Sequence, residues 1–224
     1  MEAALSCESL SCRRTDWNNV GPSSVSSVTA SFGMGEFCGF SGGDISGKEL
    51  LLHLLGLLEP ADAGRIVVRG IPIEKWEPEK IQPLRNESFG FMFEHPCLLA
   101  SFSVAENVAM PLFRFCGGDP VTARKRTLEI LDFCGITHLE GMLAGRLDPA
   151  ERRITALARA LVHEPDILVV ISPQTNDELL VLARRVATDL GLCVLWAGQP
   201  DQLRPVVHRL LHLEDGCVIQ EEKP

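Results

Sequence analysis

The 224-residue chain has no run approaching the roughly 18 consecutive apolar residues of a membrane-spanning helix, so no part of it is expected to cross a bilayer in that form. Its eight cysteines (Cys7, Cys12, Cys38, Cys97, Cys116, Cys134, Cys193 and Cys217) include no C-x-x-C pair, and no secretory signal precedes them. That argues against a metal site and removes the setting for a disulfide framework, leaving reduced cytosolic thiols that are mostly core or incidental. Long basic patches are missing too. With 21 Lys and Arg against 30 Asp and Glu, the formal net charge is -9, which argues against a nucleic-acid groove. There is no tyrosine, and there are no internal repeats.

What is present is ordinary for a soluble globular protein: 46% hydrophobic and 23% charged residues. The length suits one large domain, or one domain with an inserted subdomain, and a substantial core. The most informative segment is Gly42-Gly43-Asp44-Ile45-Ser46-Gly47-Lys48-Glu49. A phosphate-binding loop reads G-x-x-x-x-G-K-[ST], because backbone N–H groups cradle the phosphates, the lysine reaches the β and γ phosphates, and the hydroxyl holds Mg²⁺. Gly42, Gly47 and Lys48 fit, whereas Glu49 stands where the hydroxyl belongs. The setting fits as well: the apolar run Phe37 to Phe40 precedes the loop and a helix-like Leu50 to Leu55 follows it. Lys48 reads either as a phosphate ligand or as a surface lysine at a helix start.

The first thirty or so residues carry little signal, with Gly21 to Val28 reading as a turn entering a strand. Strands are predicted at Gly64 to Gly70, Ser88 to Phe93, Ile167 to Ile171 and Cys193 to Trp196, and a hairpin around Asp215-Gly216. The unbroken apolar run at Ile167 is what a parallel strand covered on both faces requires. From about Ser103 to His163 the pattern is helical. There Ile154, Leu157, Ala158 and Leu161 form one face, with Arg152, Arg153 and Arg159 off it as a solvated or structural face. A further helix is predicted from about Asn176 to Leu190. His95, His163 and His212 show no ligand spacing.

In this order the residues resemble the nucleotide-binding domain of ABC transporters, closest to the lipoprotein-releasing, macrolide-export and cell-division type. The resemblance rests on Gly35-Glu36-Phe37, on Leu58-Glu59-Pro60 through Gly64-Arg65-Ile66 to Gly70, and on Phe91-Met92-Phe93-Glu94. It continues through Val104 to Leu112, Ala156 to Leu161, Pro165, and Leu211 to Gly216. It implies an α/β fold: a P-loop NTPase-like, mostly parallel sheet core with an antiparallel β subdomain and an inserted helical subdomain at about 100–164, in one domain spanning 1–224. It also implies ATP and Mg as ligands, a membrane permease as partner, an ABC-type homo- or heterodimer, and a cytoplasmic place at the inner face of a membrane. The segment from Phe91 to Leu112, with Phe91, Phe93, Leu98, Leu99, Phe102 and Val104, matches the groove that receives a short permease helix. The family's adenine-stacking aromatic falls near Trp17, which otherwise packs on a sheet edge.

The departures fall on chemistry. Glu94 stands where the family has a glutamine for Mg²⁺ and attacking water. The signature Leu-Ser-Gly-Gly-Gln/Glu corresponds to Leu147-Asp148-Pro149-Ala150-Glu151, which brings a negative charge toward a phosphate and deletes a backbone N–H. Ile171 and Ser172 replace the metal-binding aspartate and the water-polarising glutamate, and Gln199 replaces the histidine that contacts the γ-phosphate. A clear dimer-loop aspartate is lacking, although Asp177 is nearby. These substitutions predict weak ATP binding, doubtful Mg binding and no useful hydrolysis. Two other readings stay open: an ATPase working through a non-standard site or a partner subunit, and a scaffold or nucleotide sensor without a transporter.

Overall fold

The computed structural model describes residues 3–17, 21–73, 76–115, 119–171 and 176–224, with the backbone alone at 17, 21, 114 and 115. Two long strands, β1 (Ala3–Trp17) and β2 (Gly21–Gly33), pair antiparallel and lead into β3 (Phe37–Ser41), the phosphate-loop segment and α1 (Lys48–Leu55). Then come β4 (Ala63–Val68), β5 (Ile71–Pro72), α2 (Pro78–Ser88) and β6 (Phe89–Phe93). Four helices follow: α3 (Val104–Ala109), α4 (Leu112–Phe115), α5 (Pro120–Phe133) and α6 (Pro149–Leu161). The chain closes with β7 (Ile167–Ile171), α7 (Asp177–Leu190), β8 (Cys193–Ala197), α8 (Pro200–Leu203), β9 (Arg209–Glu214) and β10 (Cys217–Glu222). Among the described residues, no helix is long and apolar enough to cross a membrane.

The strands form two sheets, one ordered β2-β1-β4-β5 and one ordered β10-β9-β3-β8-β7-β6. In the larger sheet β9, β3, β8, β7 and β6 run parallel and β10 is antiparallel to β9. Strand alternation divides the core. Ile167, Val169 and Ile171 join Cys193, Leu195 and the leucines of α1 on the face toward the smaller sheet. Leu168 and Val170 join Val194, Trp196 and the apolar faces of α6 and α7 on the other. Because both faces are covered, β3, β7 and β8 are buried throughout, each aliphatic side chain contributing about 1.5–3 kcal/mol by leaving water.

The strands predicted at Gly64, Ser88, Ile167 and Cys193, the Asp215-Gly216 hairpin and the helix from about residue 176 are all found. Two features differ from expectation. The amino-terminal stretch that carries little sequence signal forms β1 and β2, and Gly21 begins a strand. Register shifts between Cys7 and Leu10 and between Leu10 and Cys12, with Ser9 and Ser27 at φ 49 and 50, break the two-residue alternation that would have marked them. Helix α2 is the second. No helix is predicted there, yet one runs from Pro78 at its first turn to Ser88 and holds Pro83 in its interior.

Candidate active site at the carboxyl edge of the parallel sheet

The segment between β3 and α1 is built on glycine geometry. Gly42 (φ 150) and Gly47 (φ 87) lie in the region side chains disfavour, and a Cβ on Gly47 would sit 2.2 Å from the Ser24 carbonyl. The loop closes with Ser46 N–H donating to Gly43 O at 3.1 Å. It is clasped from beneath: Gly216 N–H donates to Ser46 O (3.0 Å), and Ser26 N–H donates to Gly216 O (2.8 Å). The closing hairpin and β2 thus brace the loop, a role the sequence pattern of neither discloses.

Lys48 is buried, and its Nζ donates to Gly43 O at 3.0 Å. This corrects the surface-lysine alternative: the ammonium is folded back over its own loop, where a phosphate oxygen could take the place of that carbonyl. Glu49 is half-buried in the first turn of α1, near His53 one turn on. Burial pushes the His53 imidazole below its ordinary pKa, with the Glu59 and Glu49 carboxylates opposing it. A carboxylate in a helix's first turn answers the partial positive charge that would otherwise favour an anion.

Register places the other candidate positions along the same edge. Phe40 pairs with Ala197, Val170 with Trp196, and Phe93 with Ile171, so the loops after β3, β8, β7 and β6 leave side by side. Gln199 is exposed just before α8, and Glu94 is exposed just after β6. Ile171 is buried in the same apolar cluster as Leu50 to Leu52 of α1, so this position offers hydrocarbon and no metal-binding oxygen. Ser172 lies outside the described residues. So does the side chain of Trp17, although its backbone ends β1.

Asp148, Pro149, Ala150 and Glu151 form the entry to α6. The Asp148 carboxylate accepts from the N–H groups of Ala150 (2.7 Å) and Glu151 (2.9 Å), while Glu151 Oε2 accepts from Asp148 N–H (2.8 Å). This capping box leaves the helix end occupied by its own side chains. Asp177 lies exposed in the first turn of α7. The arginines of α6 are not all solvated: Arg159 donates to the carbonyls of Pro96 (2.6 Å) and Cys97 (2.9 Å), tying the segment after β6 to the helix.

One polar chain beneath the loop is not signalled by spacing. Ser41, the last residue of β3, lies 2.7 Å from His212 Nδ1, and His212 Nε2 lies 2.9 Å from Glu222 Oε1. The carboxylate can only accept, so Nε2 donates to Glu222, and in the neutral imidazole Nδ1 then accepts from the Ser41 hydroxyl. Arg204 completes it through Glu222 Oε2 at 3.0 Å. Ser41 is buried, which suits a structural tie between β3, β9 and β10 and closes it to a substrate.

Comparison with known proteins agrees with this architecture. Residues 25–173 match the family described as ABC transporter. The lipoprotein-releasing system ATP-binding protein LolD of Bordetella pertussis is 34% identical over 199 residues, covering 86% of this chain and 85% of that protein. The dimeric ATP-binding cassette MJ0796, bound to ADP and phosphate, superposes with a TM-score of 0.83 at 22% identity over 98% of each chain. The cbiO1 protein of Clostridium perfringens, part of the ABC transporter complex cbiONQ, gives 0.87 at 23% identity over 100% of this chain and 90% of its own. At those identities the solved structures speak to fold alone. The family match and the LolD relative together establish that the chain belongs to the ABC transporter ATP-binding family.

Proposed function

We propose that this chain docks on a membrane permease as an ATP-binding-subunit homologue that has lost the capacity to hydrolyse ATP. The observation that carries the second half is the first turn of α6, where Asp148 and Glu151 use the amides that the family offers to a phosphate. Three positions add to it. Ile171 replaces an oxygen ligand with buried hydrocarbon. Glu49 and the exposed Asp44 set carboxylates around the loop. Unit charges ~4 Å apart repel by about 1 kcal/mol in water and about 4 kcal/mol at an effective dielectric of ~20, so a few such terms remove micromolar affinity. The glycine cradle and Lys48 fit a phosphate; the set Glu49, Glu94 and Ile171 does not fit a Mg²⁺ site of the family's kind. Residual ATP binding is therefore weak and independent of Mg²⁺.

The docking half rests on the surface between β6 and α4. Phe93, Leu99, Phe102, Met110 and Phe113 are exposed, whereas Val104 is core and Leu98 and Phe91 are half-buried. A groove of about 340 Å³ lies between α2, β6 and α6, with Phe91 and Met110 in its walls. A groove with one apolar wall can take the side chains of an amphipathic helix docked over it, without nucleotide chemistry. By this reading the chain sits at the inner, cytoplasmic face of a membrane and pairs with a copy of itself or a related subunit, as MJ0796 does with itself. Equilibrium ATP binding with and without Mg²⁺, beside Lys48→Ala, and recovery of a permease with the tagged chain from its native membrane test the two halves. Millimolar or absent ATP affinity with a co-purifying permease supports the proposal. Tight Mg-dependent binding overturns the first half, and a chain recovered without any permease overturns the second.

A further inference from the structure

The chain is acidic, yet among the described residues no aspartate or glutamate lines the 340 Å³ groove between α2, β6 and α6. Its polar wall consists of Arg85 and Asn86 from α2 and Arg159 and His163 at the end of α6. Arg85 donates one bond to the Leu57 carbonyl, and Arg159 donates to two carbonyls. Neither guanidinium has an ion pair among the described residues. A guanidinium carries five N–H donors, so hydrogen bonds remain to be made and two charges remain uncompensated. The buried side-chain nitrogen of Asn86 has no hydrogen-bond partner among the described residues. Burial holds the Arg159 guanidinium below its ordinary pKa, as expected of a cation drawn from water without a counter-charge. The apolar wall is Phe89, Phe91, Met110 and Pro111.

We infer that this groove is selective for a carboxylate: the permease helix that docks here presents an aspartate or glutamate to Arg85 and Arg159 and, about one helical turn away, a large apolar side chain to Phe91 and Met110. The inference rests on the docking proposal and adds the chemistry of the partner to it. Charge complementarity selects this occupant. A neutral or basic helix leaves both arginines unpaired on burial, which discriminates strongly against it. The groove is at the small end of ligand-sized pockets, so it takes a side chain or two and leaves the helix backbone outside.

The test uses a small probe and the permease separately. In the chain labelled with ¹³C at the methionine methyls, 3-phenylpropionate is titrated against its neutral amide, 3-phenylpropanamide, following the Met110 resonance. The expected result is a saturable shift with the carboxylate, about tenfold weaker with the amide and about tenfold weaker for the carboxylate in Arg85→Gln. Equal response to the two probes, or response to neither, overturns the inference. Because Arg159 also ties the segment after β6 to α6, Arg159→Gln serves only as a second variant; the comparison of probes on the unmodified chain needs no substitution. In membranes, Arg85→Gln should retain about tenfold less permease than the unmodified chain. Equal retention by both refutes the carboxylate while leaving docking intact. If no permease accompanies even the unmodified chain, the docking proposal fails and the probe comparison alone decides whether the groove selects a carboxylate.

Discussion

Asp148 and Glu151 cap each other across the first turn of α6, each carboxylate accepting from the other residue's backbone amide at 2.8–2.9 Å. A helix end whose amides are met by its own side chains stabilises the chain, and on the function proposed above those same donors are no longer offered to a phosphate.

The cap's contribution is measurable. Asp148→Ala should lower stability by about 1 kcal/mol, which for a domain of this size lowers Tm by roughly 2–4 °C, while Asp148→Ser, which keeps a capping oxygen, should change it by less than about half as much. Thermal denaturation of the three chains checks this. Equal loss in both variants would assign the effect to something other than the cap.

Two neighbouring glycines of the loop should behave oppositely. Gly47→Ala forces a side chain onto the Ser24 carbonyl at φ 87 and should cost at least about 2 kcal/mol, read from urea unfolding. Gly43→Ala meets nothing within 4 Å and should stay within about 0.5 kcal/mol of the parent. If Gly47→Ala is tolerated as well as Gly43→Ala, the clasp between loop, hairpin and β2 is not as tight as described.

Stability should fall on mild acidification. Burial lowers the pKa of His53, His163 and His208 in the folded chain, with Arg184 adding to the effect at His208. The unfolded chain then binds protons more readily, so their contribution is fully present above the unfolded value of about 6.5 and is lost as pH falls through the folded values. The urea midpoint should be lower at about pH 5.5 than at about pH 7.5, and His163→Gln should flatten part of that difference. An unchanged midpoint would show that these imidazoles remain as solvated as in the unfolded chain.

The parallel core was legible because burial on both faces leaves a plain mark: five successive apolar residues at Ile167 to Ile171, four of them β-branched, and too few for a typical helix. The loop was legible because Gly42, Gly47 and Lys48 serve local geometry. What escaped depends on distance along the chain or on broken periods. The bulges in β1 erase its alternation, and the contacts of Gly216 with Ser46 and of Ser41 with His212 join residues about 170 positions apart. The cap at α6 had a local signal: Asp148-Pro149-Ala150-Glu151 before an apolar helix is a capping-box pattern as well as an altered signature, and its charge points at its own amides.

The most direct test is ATP turnover by the purified chain with Mg²⁺, alone and with whatever permease accompanies it, beside Lys48→Ala. The account predicts the same background rate in both chains, because Ile171, Glu94 and Ser172 stand where the family orders metal and water, and Gln199 stands where it contacts the γ-phosphate. A permease-stimulated rate that disappears in Lys48→Ala would contradict it and show that this site, so altered, still hydrolyses ATP.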